Sequence, residues 1–399
     1  MPRSVRLAFL ILFAVVVAAC SDGGSDLVAG TDDDAPSDLG APTVTVPQIA
    51  SSATEAVPSA LDDPDDEVFP PAIVDPSALL SGGPPPDGIP SIDEPRFVVA
   101  ADADFLEDSE PVLALTVGDE TRAYPVQVLI WHEIVNDTLD GIPVSVTYCP
   151  LCNSAIAYDR RLDDRVLEFG TSGQLYNSAL IMYDRQTESL WSHFTGEAVI
   201  GHLTGSVLDT FAMSTVAWSD FRDANPEALV LSRETGFDRR YGVNPYPGYD
   251  DVGSAPFLFD GAVDERLAAK ERVVGVDYDG AAVAVHLDRL LDEPVLEIAD
   301  GELVVWHLDG ASSALDAGTV SDGRDVGATG VFVPELGGER LEFRSVGDTF
   351  EDRGTGSRWN IFGEAVSGPL AGERLMSVDH VDTFWFAWAA FQPDAELVT

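Results

Sequence analysis

One stretch of the sequence occurs twice, as Asp184-Arg185-Gln186-Thr187-Glu188-Ser189-Leu190-Trp191 and as Asp352-Arg353-Gly354-Thr355-Gly356-Ser357-Arg358-Trp359. Around it, three further features recur in the same order. They are Leu-Glu-Phe upstream (167–169 and 341–343), Gly-Glu-Ala-Val downstream (196–199 and 363–366), and a final aromatic segment that ends before a proline (218–226 and 384–393). Agreement at so many spaced positions predicts a tandem duplication.

We expect a β-rich α+β fold in which one β-rich unit with a closing helix occurs twice and forms two similar lobes, packed together or intertwined. The predicted boundaries are 96–235 for the first repeat, 236–256 for a connecting loop and 257–399 for the second repeat. In the first repeat, Val112 to Tyr124 reads as a hairpin around Gly118-Asp119, and Pro125 can open a short helix to His132. Ser214 is predicted to cap the helix that contains Trp218.

The N-terminal residues predict export. Arg3 and Arg6 precede an apolar run that is short for a membrane span, so residues 1–19 are predicted to be a signal peptide. Val17-Ala18-Ala19-Cys20 matches the lipobox of bacterial lipoproteins, which predicts lipidation of Cys20 and attachment to a membrane. Residues 20–95, rich in Asp, Pro, Ser and Gly, are predicted to be an extended acidic tether. The predicted location is therefore the cell envelope, outside the cytoplasm.

The charge of the chain limits its partners. The formal net charge is −47, and Lys270 is the only lysine among 399 residues. Such a chain repels phosphate groups, so we expect no nucleic-acid partner. Gly170-Thr171-Ser172-Gly173 lacks the lysine and the strand–loop–helix setting of a phosphate-binding loop, so no nucleotide cofactor is expected.

Cys149 and Cys152 are the only cysteines besides Cys20, and they stand two residues apart between two predicted strands. Three interpretations remain open: a metal site, a redox-active pair and a structural disulfide. A disulfide across so short a loop lowers the entropy of the unfolded chain only slightly, so it would stabilise the fold little. A metal site needs further ligands, and the candidates are His132 and His193. Two thiolates with one or two imidazoles would suit copper, zinc or iron.

The candidate site residues occur only in the first copy of the repeat, so any chemistry is predicted to lie there. No cysteine stands opposite Cys149 and Cys152 in the second copy, and Ile361 occupies the position that corresponds to His193. The residues shared by both copies, such as the tryptophan and Gly-Glu-Ala-Val, are therefore predicted to serve the fold.

The sequence resembles an uncharacterised bacterial family, domain of unknown function 3179. The resemblance is carried by Trp131-His132-Glu133-Ile134-Val135-Asn136-Asp137, by Val146 to Asn153, by Phe169-Gly170-x-Ser172-Gly173 and by Met182 to Thr187, and it extends over roughly residues 100–395. It implies an exported or lipid-anchored protein with a cluster of His132, Cys149 and Cys152. It implies no particular reaction.

The sequence thus predicts an exported, lipid-anchored protein with a Cys/His metal site, in which Cys149, Cys152, His132 and His193 are the ligands. One alternative is a thiol–disulfide redox protein that uses the same pair of cysteines. Another is a non-catalytic envelope binding module that uses the loop around Tyr246 and Tyr249. The sequence leaves open whether the chain is an enzyme, and it names no protein partner.

Overall fold

The computed structural model describes residues 58–399, and within them the chain is built mainly of strands. The strands of the first part are β1 (Leu80–Ser81), β2 (Phe97–Val99), β3 (Pro111–Val117), β4 (Glu120–Pro125), β5 (Ile134–Leu139), β6 (Ile142–Cys149), β7 (Ser154–Asp159), β8 (Arg161–Leu162), β9 (Arg165–Val166), β10 (Phe169–Tyr176), β11 (Ala179–Asp184), β12 (Leu190–Ser192), β13 (Ala198–Ile200), β14 (Thr210–Phe211), β15 (Met213–Ala217) and β16 (Leu229–Leu231).

The strands of the second part are β17 (Arg272–Tyr278), β18 (Ala281–His286), β19 (Val295–Ile298), β20 (Leu303–Leu308), β21 (Ala328–Val333), β22 (Glu335–Leu336), β23 (Glu339–Arg340), β24 (Phe343–Val346), β25 (Thr349–Asp352), β26 (Arg358–Trp359), β27 (Ala365–Ser367), β28 (Met376–Ser377), β29 (Val381–Phe384) and β30 (Glu396–Val398). The α-helices are α1 (Val126–His132), α2 (Trp218–Ala224), α3 (Leu287–Asp292) and α4 (Trp385–Phe391). The predicted β-rich character is confirmed.

The hairpin and the first helix form where the sequence predicts them. Strands β3 and β4 pair in antiparallel register around Gly118 and Asp119. Gly118 has a φ of +57°, and a Cβ there would lie 1.9 Å from Oδ2 of Asp140, so glycine suits this turn better than a residue with a side chain. Helix α1 begins directly after Pro125, as expected. The predicted cap at Ser214 is wrong, because Ser214 pairs with Ala114 in β15 and α2 begins only at Trp218.

The sheets of the two parts have matching strand orders. Part of one sheet runs β15-β3-β4-β16, and its counterpart runs β29-β17-β18-β30. In each of them the last pair is parallel and the other pairs are antiparallel. The orders β14-β7-β6-β5 and β10-β11-β12-β13 likewise have counterparts in β28-β21-β20-β19 and β24-β25-β26-β27.

The repeated sequence stretch makes the same hydrogen bonds in both parts. The Asp184 carboxylate accepts from the indole N–H of Trp191 at 3.0 Å, and Asp352 accepts from Trp359 at 3.3 Å. Each aspartate also accepts from the threonine three residues later. Both tryptophans are fully buried, so these bonds satisfy groups that water does not reach. The motif therefore holds a turn and a core tryptophan in place.

The closing helices pack into each other's half of the molecule. Trp218 and Phe221 of α2 belong to a hydrophobic cluster that contains Trp306 and Trp359. The cluster around the two cysteines contains Trp385 and Trp388 of α4. Strand β29 also lies beside β7, while β15 lies beside β21. Each half thus supplies aromatic side chains to the core of the other.

Residues 58–95 differ from the extended, solvated tether expected up to residue 95. Ala60 and Val74 are buried in a small cluster with strands β11 to β13, and β1 pairs with β10. The amide of Ile92 donates to the carbonyl of Ile134, and Ile92 is almost fully buried. Scattered apolar residues suffice to dock this segment, although its average composition is that of a linker. The predicted signal peptide, its Cys20 and the start of the tether lie outside the described residues.

Within residues 58–399, no helix is long and apolar enough to cross a lipid bilayer.

Candidate functional site

The two cysteines lie in the tight turn between β6 and β7. Cys149 ends β6 and Ser154 begins β7, with Asn153 closing the turn at a φ of +51°. Both cysteines are free thiols, and both are almost completely buried. The second half of the chain holds the turn, since the carbonyl of Cys152 accepts from the Thr383 hydroxyl at 2.7 Å and from the Phe384 amide at 3.1 Å.

The two thiols differ in acidity because their surroundings differ. Burial raises the pKa of the Cys149 thiol, but hydrogen bonds from Cys152 and from the backbone amides of Leu180 and Leu151 outweigh it, so the net pKa is lowered. Burial and the neighbouring Cys149 both raise the pKa of Cys152 well above its ordinary value. Cys149 is therefore the thiol that ionises first, and Cys152 keeps its proton. This asymmetry is typical of an attacking and a resolving thiol.

A chain of hydrogen bonds leads from Cys152 to His193. Sγ of Cys152 lies 3.0 Å from the hydroxyl oxygen of Ser154, which lies 2.8 Å from Nε2 of His193. Nδ1 of His193 is buried without a partner in the described part of the chain. A bare buried acceptor costs less than a buried N–H without an acceptor, so we place the proton on Nε2. His193 then donates to Ser154, and Ser154 donates to the sulfur of Cys152.

The charge state of His193 gives a pH prediction. Burial lowers the pKa of His193 from 6.5 to about 3, so the unfolded chain binds this proton more tightly than the folded chain does. The contribution of neutral His193 to the free energy of unfolding is complete above pH 6.5. It is lost as the pH falls towards 3, by at most ~1.4 kcal/mol per pH unit. We expect His193→Gln to flatten this part of the pH dependence, measured by urea unfolding between pH 7 and pH 4. His202→Gln, at a half-buried position, is the matched control; equal slopes in wild type and His193→Gln would contradict the prediction.

His132 is placed differently from the sequence-based hypothesis. Its Nδ1 lies 2.7 Å from the carbonyl oxygen of Pro90, and its Nε2 lies 2.6 Å from the hydroxyl of Tyr241. Both ring nitrogens are therefore engaged. Residues 58–399 contain no group of three or more His, Cys, Asp or Glu side chains placed to hold a metal ion. The four-residue metal site of Cys149, Cys152, His132 and His193 stays a prediction that this geometry does not favour.

A cleft of about 330 Å³ reaches the residues around Cys149, while Cys149 itself is buried behind its wall. Its walls include Leu151 and Leu180, whose backbone amides face the Cys149 sulfur, together with Glu133, Tyr246 and Tyr249. Burial raises the pKa of the Glu133 carboxyl well above its ordinary value, and the charge of Cys149 adds to this effect, so the protonated form of Glu133 is favoured. The cleft therefore places an apolar wall and a weakened acid close to the more acidic thiol.

Some residues of this site carry no individual signal in the sequence. Ser154 follows the cysteine motif, but nothing in the sequence shows that it connects Cys152 to a histidine. Thr383 lies in the other half of the chain, and only its position before the closing aromatic helix sets it apart. Tyr246 and Tyr249 belong to the aromatic loop that the sequence offered as a binding surface, and the structure puts them on the cleft. Segments distant in the sequence therefore meet at this turn and its cleft.

Fold and site together define a β-rich protein with a buried, unsymmetrical pair of thiols beside an apolar cleft. The chain belongs to the family described as Protein of unknown function (DUF3179), whose model matches residues 86–395. This confirms the resemblance seen in the sequence motifs. Comparison with curated proteins and with solved structures gives no match.

Proposed function

We propose that the chain is a thiol–disulfide redox protein in which Cys149 attacks and Cys152 resolves. The observation that carries the proposal is the arrangement of donors around the two sulfurs. The backbone amides of Leu151 in the turn and of Leu180 in β11, together with the Cys152 thiol, face Cys149, whereas Cys152 is linked through Ser154 to His193. A structural disulfide has no need of such a distinction between its two sulfurs.

The reaction transfers two electrons and two protons. The Cys149 thiolate attacks one sulfur of an external disulfide, a mixed disulfide forms, and the released thiolate takes up a proton. Cys152 then attacks the sulfur of Cys149, which forms the Cys149–Cys152 bond and releases the second thiol together with the proton of Cys152. The external disulfide is reduced to two thiols, and the protein dithiol is oxidised to a disulfide. A second dithiol restores the reduced protein by the reverse sequence.

Ser154 and His193 support the second step. A hydrogen bond from the Ser154 hydroxyl favours the thiolate of Cys152, although burial strongly opposes that ion. His193 stays neutral because burial lowers its pKa to about 3, so it orients the hydroxyl without adding charge. Both residues act by positioning, since neither forms a covalent bond with the substrate.

The role of Ser154 gives a kinetic prediction. We expect Ser154→Ala to slow release of the second thiol by about tenfold or more while the first thiol is released at the wild-type rate. Single-turnover kinetics with a chromogenic disulfide separate the two phases. The matched control is Ser145→Ala. Ser145 is also a buried serine but lies on β6, and its substitution should change neither phase. Equal slowing of both phases by Ser154→Ala would contradict the assignment.

We propose in addition that the protein works outside the cytoplasm on a lipid anchor at Cys20. The support is the sequence alone, in the apolar segment followed by Val17-Ala18-Ala19-Cys20. An oxidising envelope is a compartment in which a cycling dithiol has partners.

We also propose that the two halves arose by tandem duplication and form two intertwined lobes. The matched strand orders and the shared Asp–Trp hydrogen bonds support this origin. In this account only the first copy carries the thiols, and the second supplies the residues that hold the turn.

The test is oxidation of the reduced protein by a small disulfide, followed by mass spectrometry and counting of the released thiol. We expect a bond between Cys149 and Cys152 and two thiols released per chain. Zinc and Cu(I) titrations are run on the same sample. Tight stoichiometric metal binding that depends on His132 and His193, with no disulfide formed, would overturn the redox proposal in favour of the metal site.

A further inference from the structure

Glu133 stands out as a buried acid without a partner. It is almost fully buried, and no side chain or backbone group in residues 58–399 makes a hydrogen bond with its carboxyl. Its backbone lies next to the turn, because the carbonyl of Glu133 accepts from the amide of Tyr148, the residue before Cys149. Its carboxyl oxygens are not among the fully buried atoms without a partner, and Glu133 lines the cleft, so its carboxyl is free to meet a molecule that enters there.

The backbone of Glu133 makes the residue more unusual. It has a φ of +60° at the C-terminal end of α1, a position where glycine is the most common residue because it avoids steric strain. Neither the local backbone nor any internal hydrogen bond accounts for a glutamate here. Non-glycine residues in such conformations cluster at functional sites.

The cleft next to Glu133 selects against charge. Among residues 58–399, no lysine or arginine side chain lines it, and Glu133 is its only acidic residue. Lys270 lies behind Tyr249, 3.6 Å from the centre of its ring, and its ammonium donates to the Tyr249 carbonyl and the Ser254 hydroxyl. The cleft therefore offers no counter-ion for an anion, and the net charge of −47 repels anions from the whole molecule.

We propose that this cleft admits a small, uncharged, largely apolar disulfide, and that Glu133 donates its proton to the sulfur that leaves when Cys149 attacks. This inference rests on the proposed redox function and names its substrate class. The Cys149 thiolate forms a bond to one substrate sulfur, the substrate S–S bond breaks, and its electron pair goes to the other sulfur. That sulfur takes the proton of Glu133 and departs as a neutral thiol, leaving a Glu133 carboxylate that is reprotonated from solvent.

Proton donation matters most when the leaving thiolate is a strong base. We therefore compare bis(2-hydroxyethyl) disulfide, an alkyl disulfide, with 2,2′-dithiodipyridine, whose leaving group needs no proton. We expect Glu133→Gln to slow release of the first thiol from the alkyl disulfide about 100-fold and to leave the rate with dithiodipyridine within about twofold. Oxidised glutathione, which is anionic, should react at least about tenfold more slowly than the alkyl disulfide with the wild-type protein.

Glu133→Gly is the second variant, because glycine suits the positive φ and should raise the thermal unfolding midpoint. It should show the same dependence on the leaving group as Glu133→Gln. Equal slowing with both neutral disulfides, or oxidised glutathione reacting as fast as the alkyl disulfide, overturns this inference and leaves the redox function standing. Failure of the wild-type protein to form the Cys149–Cys152 bond even with dithiodipyridine overturns the redox function itself.

Discussion

Cys152→Ser should accumulate a stable mixed disulfide at Cys149, whereas Cys149→Ser should form none and should lose disulfide reduction altogether. The reason is the unequal environment of the two sulfurs: hydrogen bonds lower the pKa of Cys149, and burial raises that of Cys152. Without Cys152, nothing displaces the substrate from Cys149. Mass spectrometry of the intact protein after reaction with a neutral disulfide measures the adduct.

The two variants control for each other, because both replace one buried thiol by a hydroxyl in the same turn. Circular dichroism of each variant checks that the fold is kept. Equal adduct formation at Cys152 in Cys149→Ser would show that the order of attack is wrong.

The two halves of the chain should not fold separately. Residues 58–256 without the second half would lack Trp385 and Trp388 from the cluster around the cysteines, and residues 257–399 would lack Trp218 and Phe221 from theirs. Loss of one buried aromatic side chain costs about 3–5 kcal/mol, so losing two from each core costs about 6–10 kcal/mol, which is comparable to the entire stability of a typical domain, about 5–15 kcal/mol. We expect no cooperative unfolding transition from either half alone.

Co-expression of the same two pieces is the control, since it restores every contact except the covalent link in the loop between β16 and β17. The paired pieces should copurify and unfold in one cooperative transition. A half that unfolds cooperatively by itself would contradict the exchange of closing helices as the basis of stability.

Local sequence patterns made part of the fold predictable. Strand content, the hairpin at Gly118 and helix α1 all follow from local patterns, since turn residues and Pro125 act over a few residues. The start of α2 was misplaced because Ser214 is a good cap by type, yet pairing with β3 extends the strand through Ala217. Tertiary pairing outweighed local preference.

The site was predicted only in part. The placement of Cys149 and Cys152 in a turn between two strands was predicted correctly, because their spacing is a local property. The grouping with His132 could not be tested from spacing, and the structure shows its ring engaged by Pro90 and Tyr241 instead. His193 approaches Cys152 only through Ser154, a relation that depends on the packing of β7 against the turn after β12. Sequence patterns carry little information about such contacts.

The most direct test of the central claim is the reduction potential of the Cys149–Cys152 couple. It is measured by equilibrating the protein with dithiothreitol buffers and, for higher potentials, with glutathione buffers of known ratio, and by quantifying the reduced thiols. We predict a reversible two-electron transition above about −300 mV, in the range of disulfides that exchange with cellular thiols. A potential below that value, or a pair that never forms a bond in these buffers, would contradict a redox role for the two cysteines.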